Sequence, residues 1–412
     1  MSVRTPKTTT TAVLQYPRKT TISKPAIKSI PTLKSTSAPI QIKTLSLQDY
    51  LCLQTRPRFL REMRESLIEI GTFYIKDHGV PTELTSGVMK VIQDFFSLPL
   101  EEKKKILIGN SRHFRGYKVM GEELTNNEVD HREQLQFGPE QDAINTFVST
   151  VPLEYEGLQG PNQWCTSILA QVPQFKSHIL EYMTQLEILS QHLMEAIALS
   201  LNLDASYFRD LFGLDPYYRL KCAKYPSVDN AATIGCGAHK DTGFLTVLLQ
   251  DMVGGLQGQD PTTSEWMDTR PVPETFIVTM GEAVERLTGG LYRATVHRVL
   301  NNTSGMDRYS IPFFFDPALD VKVPHQIPVS VSANEPLSPT RSEAMSMSSH
   351  CSLSDVEADS DDDDLDNLVA ALDIREQEDT STERSWSNGD HIFETVKRCH
   401  PEVYSRWYSN EN

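Results

Sequence analysis

Residues 237–250 read Gly-Ala-His-Lys-Asp-Thr-Gly-Phe-Leu-Thr-Val-Leu-Leu-Gln, and the rest of the chain is best interpreted outward from this stretch. The apolar run from Phe244 to Leu249 predicts a β-strand. Side chains alternate along the extended segment before it, so His239 and Asp241 share one face while Lys240 points to the other. The stretch therefore predicts a strand preceded by two side chains that can bind one metal ion.

A second histidine, His297, lies 56 residues after Asp241, beside Val296 and Val299, in a pattern typical of a strand. Two imidazoles and one carboxylate on one face of a metal leave adjacent coordination positions open, which suits non-haem iron(II). A co-substrate and O2 can take those positions. A histidine and an aspartate two residues apart are by themselves more often a surface pair than a metal site, so His297 is needed for the prediction.

A candidate anion anchor follows at Arg308-Tyr309-Ser310. The same alternation places the Arg308 guanidinium and the Ser310 hydroxyl on one face. Arginine suits a carboxylate because its planar fork donates two parallel hydrogen bonds and stays charged when buried. An iron site beside such an anchor indicates a pocket for a dicarboxylic keto acid.

Longer runs around these residues carry a resemblance to a known family. They are Gly237 to Gln257, Tyr292 to Val299, Arg308 to Phe314 and, in the N-terminal half, Glu69 to Tyr74, Asp77 to Pro81 and Phe95 to Pro99. Together they resemble the isopenicillin N synthase-like group of iron(II)/2-oxoglutarate dioxygenases. The likeness covers about residues 39–331 and, weakly, 391–408.

The resemblance implies a fold that is mainly β with flanking helices, a double-stranded β-helix or distorted jelly roll with a cupin-like barrel. It implies that Fe(II) is held by the predicted triad and that the far carboxylate of 2-oxoglutarate is bound next to it. We expect no catalytic acid or base beyond the metal site. The implied metal ligands are His239, Asp241 and His297, and the implied co-substrate contacts are Arg308, Ser310 and Tyr225.

The resemblance also implies an oxidoreductase that uses Fe(II), 2-oxoglutarate and O2. Such an enzyme would hydroxylate a small organic molecule, for example a secondary metabolite, while 2-oxoglutarate is decarboxylated to succinate. Two alternatives stay open: an isopenicillin N synthase-like oxidase that does not use 2-oxoglutarate, and a non-catalytic scaffold whose acidic segment recruits partners. Two further segments resemble parts of the family near the pocket mouth, beginning at Arg115 and at Arg132, and structural pairing is favoured for both over substrate contact.

Helical periodicity predicts three helices, of which the last and longest packs across a sheet. Apolar residues recur at steps of three and four from Phe59 to Ile70, from Leu84 to Phe96 and from Phe175 to Leu201. After Tyr218, short apolar runs between Gly, Pro, Asn and Asp clusters predict a barrel or sandwich. The predicted divisions are a disordered basic tail (1–38), an N-terminal α/β part (39–155), the long helix with the jelly-roll core (156–331), a disordered acidic insertion (332–390) and a C-terminal helix (391–412).

The charge distribution favours a small-molecule partner over nucleic acid. Of the formal net charge of −16, the first 48 residues carry +8 and residues 335–390 carry −13, which leaves an acidic body without a basic stripe. The six cysteines lack zinc-finger spacing, and no stretch reaches the roughly 18 apolar residues that span a bilayer. We expect a cytoplasmic monomer with no membrane association, although the basic tail also fits a mitochondrial presequence.

Overall fold

The computed structural model describes residues 41–125, 128–143, 154–229, 234–327 and 385–409. The predicted basic tail and residues 332–384 of the predicted acidic insertion lie outside these ranges. The strands are β1 Thr44–Ser46, β2 Thr72–Lys76, β3 Gly116–Lys118, β4 Leu124–Thr125, β5 Glu128–Val129, β6 Glu133–Phe137, β7 Tyr217–Tyr225, β8 Cys236–His239, β9 Leu245–Gln250, β10 Leu256–Gln259, β11 Trp266–Asp268, β12 Phe276–Met280, β13 His297–Val299, β14 Arg308–Asp316, β15 Lys322–Pro324 and β16 Ser385–Ser387. The helices are α1 Leu47–Leu51, α2 Arg56–Glu69, α3 Thr82–Ser97, α4 Leu100–Lys103, α5 Thr166–Gln171, α6 Phe175–Ser200, α7 Arg209–Phe212, α8 Glu282–Leu287, α9 Asn388–Cys399 and α10 Pro401–Trp407.

Two sheets form the centre of the described part of the chain. The larger has eight strands in the order β1-β2-β12-β9-β14-β7-β6-β3, and the smaller has four in the order β11-β10-β13-β8. All neighbours pair antiparallel except β1 and β2. One cavity is lined by side chains from both sheets. This is the double-stranded β-helix implied by the resemblance, and the predicted fold class is confirmed.

Strand β14 shows how the sequence assigns the two faces of the larger sheet. Its odd-numbered residues Tyr309, Ile311, Phe313 and Phe315 are buried in the main core, where α6 packs on β14 and β9. Its even-numbered residues from 308 to 314 line the cavity instead. Burying one large apolar side chain stabilises the fold by about 1.5–3 kcal/mol, so the helix-facing half of the strand fixes which side chains face the cavity.

The three predicted helices are confirmed as α2, α3 and α6. Helix α2 begins at Arg56, before the first apolar residue of its pattern, and has Pro57 in its first turn, where proline costs no hydrogen bond. Helix α3 ends at Ser97, just before Leu98-Pro99. Among the described helices, none has the length and apolarity required to cross a bilayer.

The C-terminal segment begins earlier than the sequence predicts. Strand β16 starts at Ser385 and α9 at Asn388, whereas the predicted C-terminal helix begins at residue 391, and α10 follows as a second helix. The Ser387 hydroxyl accepts a hydrogen bond from the Asp390 amide at 3.2 Å and caps α9. Strand β16 pairs with β15, with Pro324 opposite Ser385. The polar Ser-Trp-Ser sequence gives no apolar run, so this strand depends on a partner more than sixty positions away.

Gly71 occupies the tight junction between α2 and β2. Its φ is +92°, and an added Cβ would lie 2.0 Å from the Arg293 carbonyl oxygen. Gly79, at the other end of β2, has φ +81° but nothing within 4 Å of a Cβ. The pair therefore separates the effect of a left-handed backbone from the effect of a close backbone contact.

We expect Gly71→Ala to lower the free energy of unfolding by about 2–5 kcal/mol, because a left-handed L-residue costs about 1–2 kcal/mol and overpacking adds about 1–3 kcal/mol. Gly79→Ala should lower the free energy of unfolding only by the cost of the left-handed residue, about 1–2 kcal/mol. Urea denaturation of both variants measures the difference. Equal losses in the two variants would contradict the close-contact explanation.

Candidate metal centre and its cavity

Two strands of the smaller sheet bring the predicted histidines together. β8 and β13 pair antiparallel with His239 directly opposite His297, and the two imidazole centroids are 4.4 Å apart. Asp241 lies two residues beyond His239 and returns to the same face. One ligand atom from each of the three residues lies within 4.8 Å of the others, so the triad predicted from spacing converges on one point.

Hydrogen bonds orient each side chain of this triad. The Nδ1 atom of His239 lies 2.8 Å from the Gly237 carbonyl oxygen, and that of His297 lies 3.0 Å from the Thr295 carbonyl oxygen. A carbonyl oxygen can only accept, so each Nδ1 donates and each Nε2 keeps a free lone pair. The Thr246 hydroxyl donates to Asp241 Oδ2 at 2.6 Å, which leaves Oδ1 at 3.9 Å from His239 Nε2 and 3.8 Å from His297 Nε2.

Electrostatics favour the protonation states that bind a divalent cation. Burial raises the pKa of the Asp241 carboxyl, but His297, His239 and the Thr246 hydroxyl outweigh burial, and the pKa lies below its ordinary value. Burial, together with repulsion from His239, lowers the pKa of His297. A carboxylate beside a neutral imidazole is the donor set required by a divalent metal, and with two nitrogens and one oxygen it fits iron(II).

Strands β7 and β14 form the predicted anion anchor. Arg308 lies opposite Tyr225, and Ser310 lies opposite Ala223. The Arg308 guanidinium sits 4.9 Å from the Tyr225 ring centroid and donates from Nη2 to Gln250 Oε1 at 3.1 Å. All six residues predicted for the site line the same cavity.

The Arg308 side chain is suited to a bound anion. The residue is 1% exposed, and its Nε and Nη1 have no hydrogen-bond partner among the described residues. A buried charge with unsatisfied donors is costly unless a partner satisfies it. The far carboxylate of 2-oxoglutarate is a partner of the required charge and shape, so the residues present fit this co-substrate.

The cavity holds about 950 Å³ of empty space, counted out to its open mouth. Its cationic side chains come from β7, β14 and the segment before β6, and its apolar side chains come mainly from β9, β10, β11, β12 and β13. The cations are Arg132, Lys221 and Arg308, and the apolar residues include Leu248, Leu256, Met267, Ile277 and Val299. One side of the cavity is therefore cationic, and much of the rest is apolar.

The structure also places the neighbouring charged residues. Lys240 points away from the triad as predicted and pairs with Glu285 at 2.6 Å. Arg115 is buried outside the cavity lining and donates to the Leu158 carbonyl oxygen at 2.8 Å, which is the favoured structural role. Arg132, for which structural pairing was also favoured, pairs with Asp130 at 2.9 Å but lines the cavity as well.

Sequence reasoning missed Thr246, Gln250 and Lys221. Thr246 belongs to the apolar run that was used only to predict a strand, and Gln250 directly follows that run. Lys221 lies two and four residues before Ala223 and Tyr225 in β7, so all three share a face. Alternation counted back from Tyr225 would have found it.

Two family models match the chain. Residues 42–167 match the model for the N-terminal part of the non-haem dioxygenase in morphine synthesis, and residues 216–317 match the 2OG-Fe(II) oxygenase superfamily. The second range contains all six predicted site residues.

Curated relatives and solved structures agree with those models. The chain is 36% identical over 323 residues to the 1-aminocyclopropane-1-carboxylate oxidase of Dictyostelium mucoroides, covering 70% of this chain and 86% of the relative. It is 36% identical over 294 residues to the 2-oxoglutarate-dependent dioxygenase frbJ of Dothideomycetidae sp. (strain 11243), covering 68% and 75%. A Neurospora crassa protein, solved at full length in complex with alpha-KG and thymine, is similar in fold, with a TM-score of 0.61, 24% identity and coverage of 71% of this chain and 90% of that one.

Proposed function

This chain belongs to the 2OG-Fe(II) oxygenase superfamily and is a 2-oxoglutarate-dependent dioxygenase, and from that premise we propose that His239, Asp241 and His297 hold its iron. We propose further that Arg308 and Ser310 would bind the far carboxylate of 2-oxoglutarate, with Tyr225 as a further contact to the co-substrate. The convergence of the three ligand atoms within 4.8 Å carries the first assignment. The second assignment rests on the buried Nε and Nη1 of Arg308, which have no hydrogen-bond partner among the described residues.

The reaction class follows from the bound group, and the chain's own residues set its geometry. Iron with 2-oxoglutarate supplies hydroxylation of a C–H bond by O2, with the keto acid decarboxylated to succinate and carbon dioxide. The Nδ1 hydrogen bonds of His239 and His297 and the Thr246 hydroxyl hold the ligand atoms in place. Arg308 neutralises one carboxylate of the co-substrate, and the apolar wall of the cavity excludes water from the substrate.

We propose that the substrate is a small organic molecule. Apolar side chains line much of the cavity and a few polar and charged groups converge on it, which is typical of a site for a small ligand. The names of related proteins include 1-aminocyclopropane-1-carboxylate, and a similar structure contains thymine. Both compounds are small enough for such a site.

Dependence on the keto acid tests this function against the alternative oxidase. With purified protein, Fe(II) and a panel of small molecules, O2 uptake and succinate formation are expected only when 2-oxoglutarate is present, in equal amounts for a coupled substrate. Anaerobic addition of 2-oxoglutarate to the iron-loaded protein should also give the weak visible charge-transfer band of the chelate. Substrate turnover that proceeds fully without the keto acid would instead establish the oxidase that does not use it.

A further inference from the structure

Lys221, like Arg132, places a cationic group in the cavity in addition to Arg308 of the co-substrate anchor. It shares a face of β7 with Ala223 and Tyr225, and these two lie opposite Ser310 and Arg308. The Lys221 side chain is 14% exposed and lines the cavity, and its ammonium lies 5.9 Å from the Phe314 ring centroid. The ammonium is therefore available to a molecule in the cavity.

The partners of this ammonium within the protein are incomplete. Its nearest carboxylate atom is Glu123 Oε1 at 3.7 Å, beyond hydrogen-bond distance, and no acceptor within that distance is found among the described residues. Glu123 is shared, because Lys118 lies 2.9 Å from its Oε2 and Arg132 lies 3.7 Å from its Oε1. Burial raises the pKa of Glu123, but Lys221, His400, Arg132 and Lys118 outweigh burial and hold this pKa far below its usual range, so one negative charge serves several cations.

Among the described residues, no carboxylate lies within hydrogen-bond distance of the Lys221 ammonium. Arg132 has Asp130 at 2.9 Å, and Lys118 has Glu123 at 2.9 Å and Glu402 at 3.5 Å, whereas the carboxylate nearest to Lys221 is Glu123 at 3.7 Å. The two positive charges of Fe(II) balance the two negative charges of 2-oxoglutarate, and Asp241 balances Arg308. An additional anion in the cavity would therefore be attracted to Lys221.

On the basis of the proposed function, we infer that Lys221 binds a carboxylate of the primary substrate, and that this substrate is a small organic acid with an apolar body. The partly satisfied ammonium would complete its hydrogen bonds with the carboxylate, while side chains such as Leu248, Met267 and Val299 would contact the body. Lys221 would then determine substrate class. The co-substrate would remain bound at Arg308 and Ser310.

Paired ligands test this inference directly. The panel contains aliphatic, aromatic and amino carboxylic acids, each with its primary amide, presented to the protein with Fe(II) and 2-oxoglutarate. Binding is followed anaerobically by perturbation of the visible chelate band and turnover by succinate formation. We expect acids to have an affinity and a kcat/KM about 10- to 100-fold higher than those of their amides, because an amide loses one charge-assisted hydrogen bond.

Variants separate recognition from stability. Lys221→Gln should lower kcat/KM for the acid by about 10- to 100-fold and remove the preference over the amide, while 2-oxoglutarate binds with unchanged affinity in the band titration. Lys221→Arg should restore part of the preference. The matched control is Lys224→Gln, because Lys224 is on the same strand with 16% side-chain exposure but lies outside the cavity, paired with Asp307 at 3.0 Å. The control should keep the preference.

The outcomes distinguish this inference from the proposed function. Three results would overturn the carboxylate assignment while leaving 2-oxoglutarate dependence intact. They are a preference for amides or other neutral compounds, equal losses of kcat/KM for acid and amide in Lys221→Gln, and the finding that no acid binds better than its amide. Absence of the chelate band and of succinate under all conditions would instead overturn the proposed function and this inference with it.

Discussion

The His239→Ala variant is expected to lose iron affinity and turnover by more than about 100-fold each, because residues that merely orient a metal ligand already contribute about 10- to 100-fold. His239 supplies one of three ligand atoms, and its Nδ1 hydrogen bond leaves Nε2 free for the metal. The side chain is 32% exposed, so little apolar packing is lost, and the free energy of unfolding should change by less than about 1 kcal/mol. Anaerobic Fe(II) titration, succinate formation and urea denaturation measure the three quantities.

His192→Ala is the matched control for this variant. His192 lies on α6 with 40% of its side chain exposed, beside Glu195 and outside the cavity lining. Its loss should leave iron affinity and turnover unchanged. Full turnover and unchanged iron stoichiometry in His239→Ala would show that His239 is not a ligand.

The Arg308→Gln variant is expected to raise the dissociation constant for 2-oxoglutarate by about 30-fold or more. Truncating one partner of a buried, hydrogen-bonded charge pair costs about 2–5 kcal/mol, and glutamine provides neither the charge nor the two parallel donors. Lysine keeps the charge without the fork, so Arg308→Lys should recover only part of the loss. Titration of the visible chelate band gives each dissociation constant.

A second keto acid makes this prediction specific to the anchor. 2-Oxopentanoate has the chain length and keto acid end of 2-oxoglutarate but lacks the far carboxylate. The unmodified protein should prefer 2-oxoglutarate strongly, and Arg308→Gln should lose that preference with little effect on 2-oxopentanoate, as in a double-mutant cycle. A variant that weakens both keto acids equally would indicate general damage to the cavity, and the anchor role would have to be abandoned.

The positions of the predicted site residues could be derived from sequence because they depend on local alternation. His239 and Asp241 lie two residues apart, as do Arg308 and Ser310, and a period of two places each pair on one face of an extended chain. The contacts between distant parts of the chain could not be derived that way. His297 lies beside His239 because β13 pairs with β8, although the two residues are 58 positions apart. Arg308 lies beside Tyr225 because β14 pairs with β7, although they are 83 positions apart.

Lys221 and Lys224 show that residue type alone does not assign a side chain to the cavity, whereas alternation from Tyr225 does. They lie three residues apart in one strand with no difference in chemistry, yet only Lys221 faces the cavity. Glu123 shows where sequence reasoning fails, because a glutamate is rarely fully buried but this residue is 3% exposed. The cations that compensate its burial come from β3, β7 and the segment before β6, and sequence alone does not bring these together.

The pairing of β15 with β16 has a consequence for changes in the length of the chain between them. Pro324 and Ser385 are register partners, so the two ends of the 60-residue stretch between them are adjacent. The entropy of closing a loop grows only logarithmically, at about 0.6 kcal/mol per doubling of length. A change in the length of this stretch would therefore still close on the same two strands, and a grafted reporter domain with neighbouring termini would leave β15 and β16 paired.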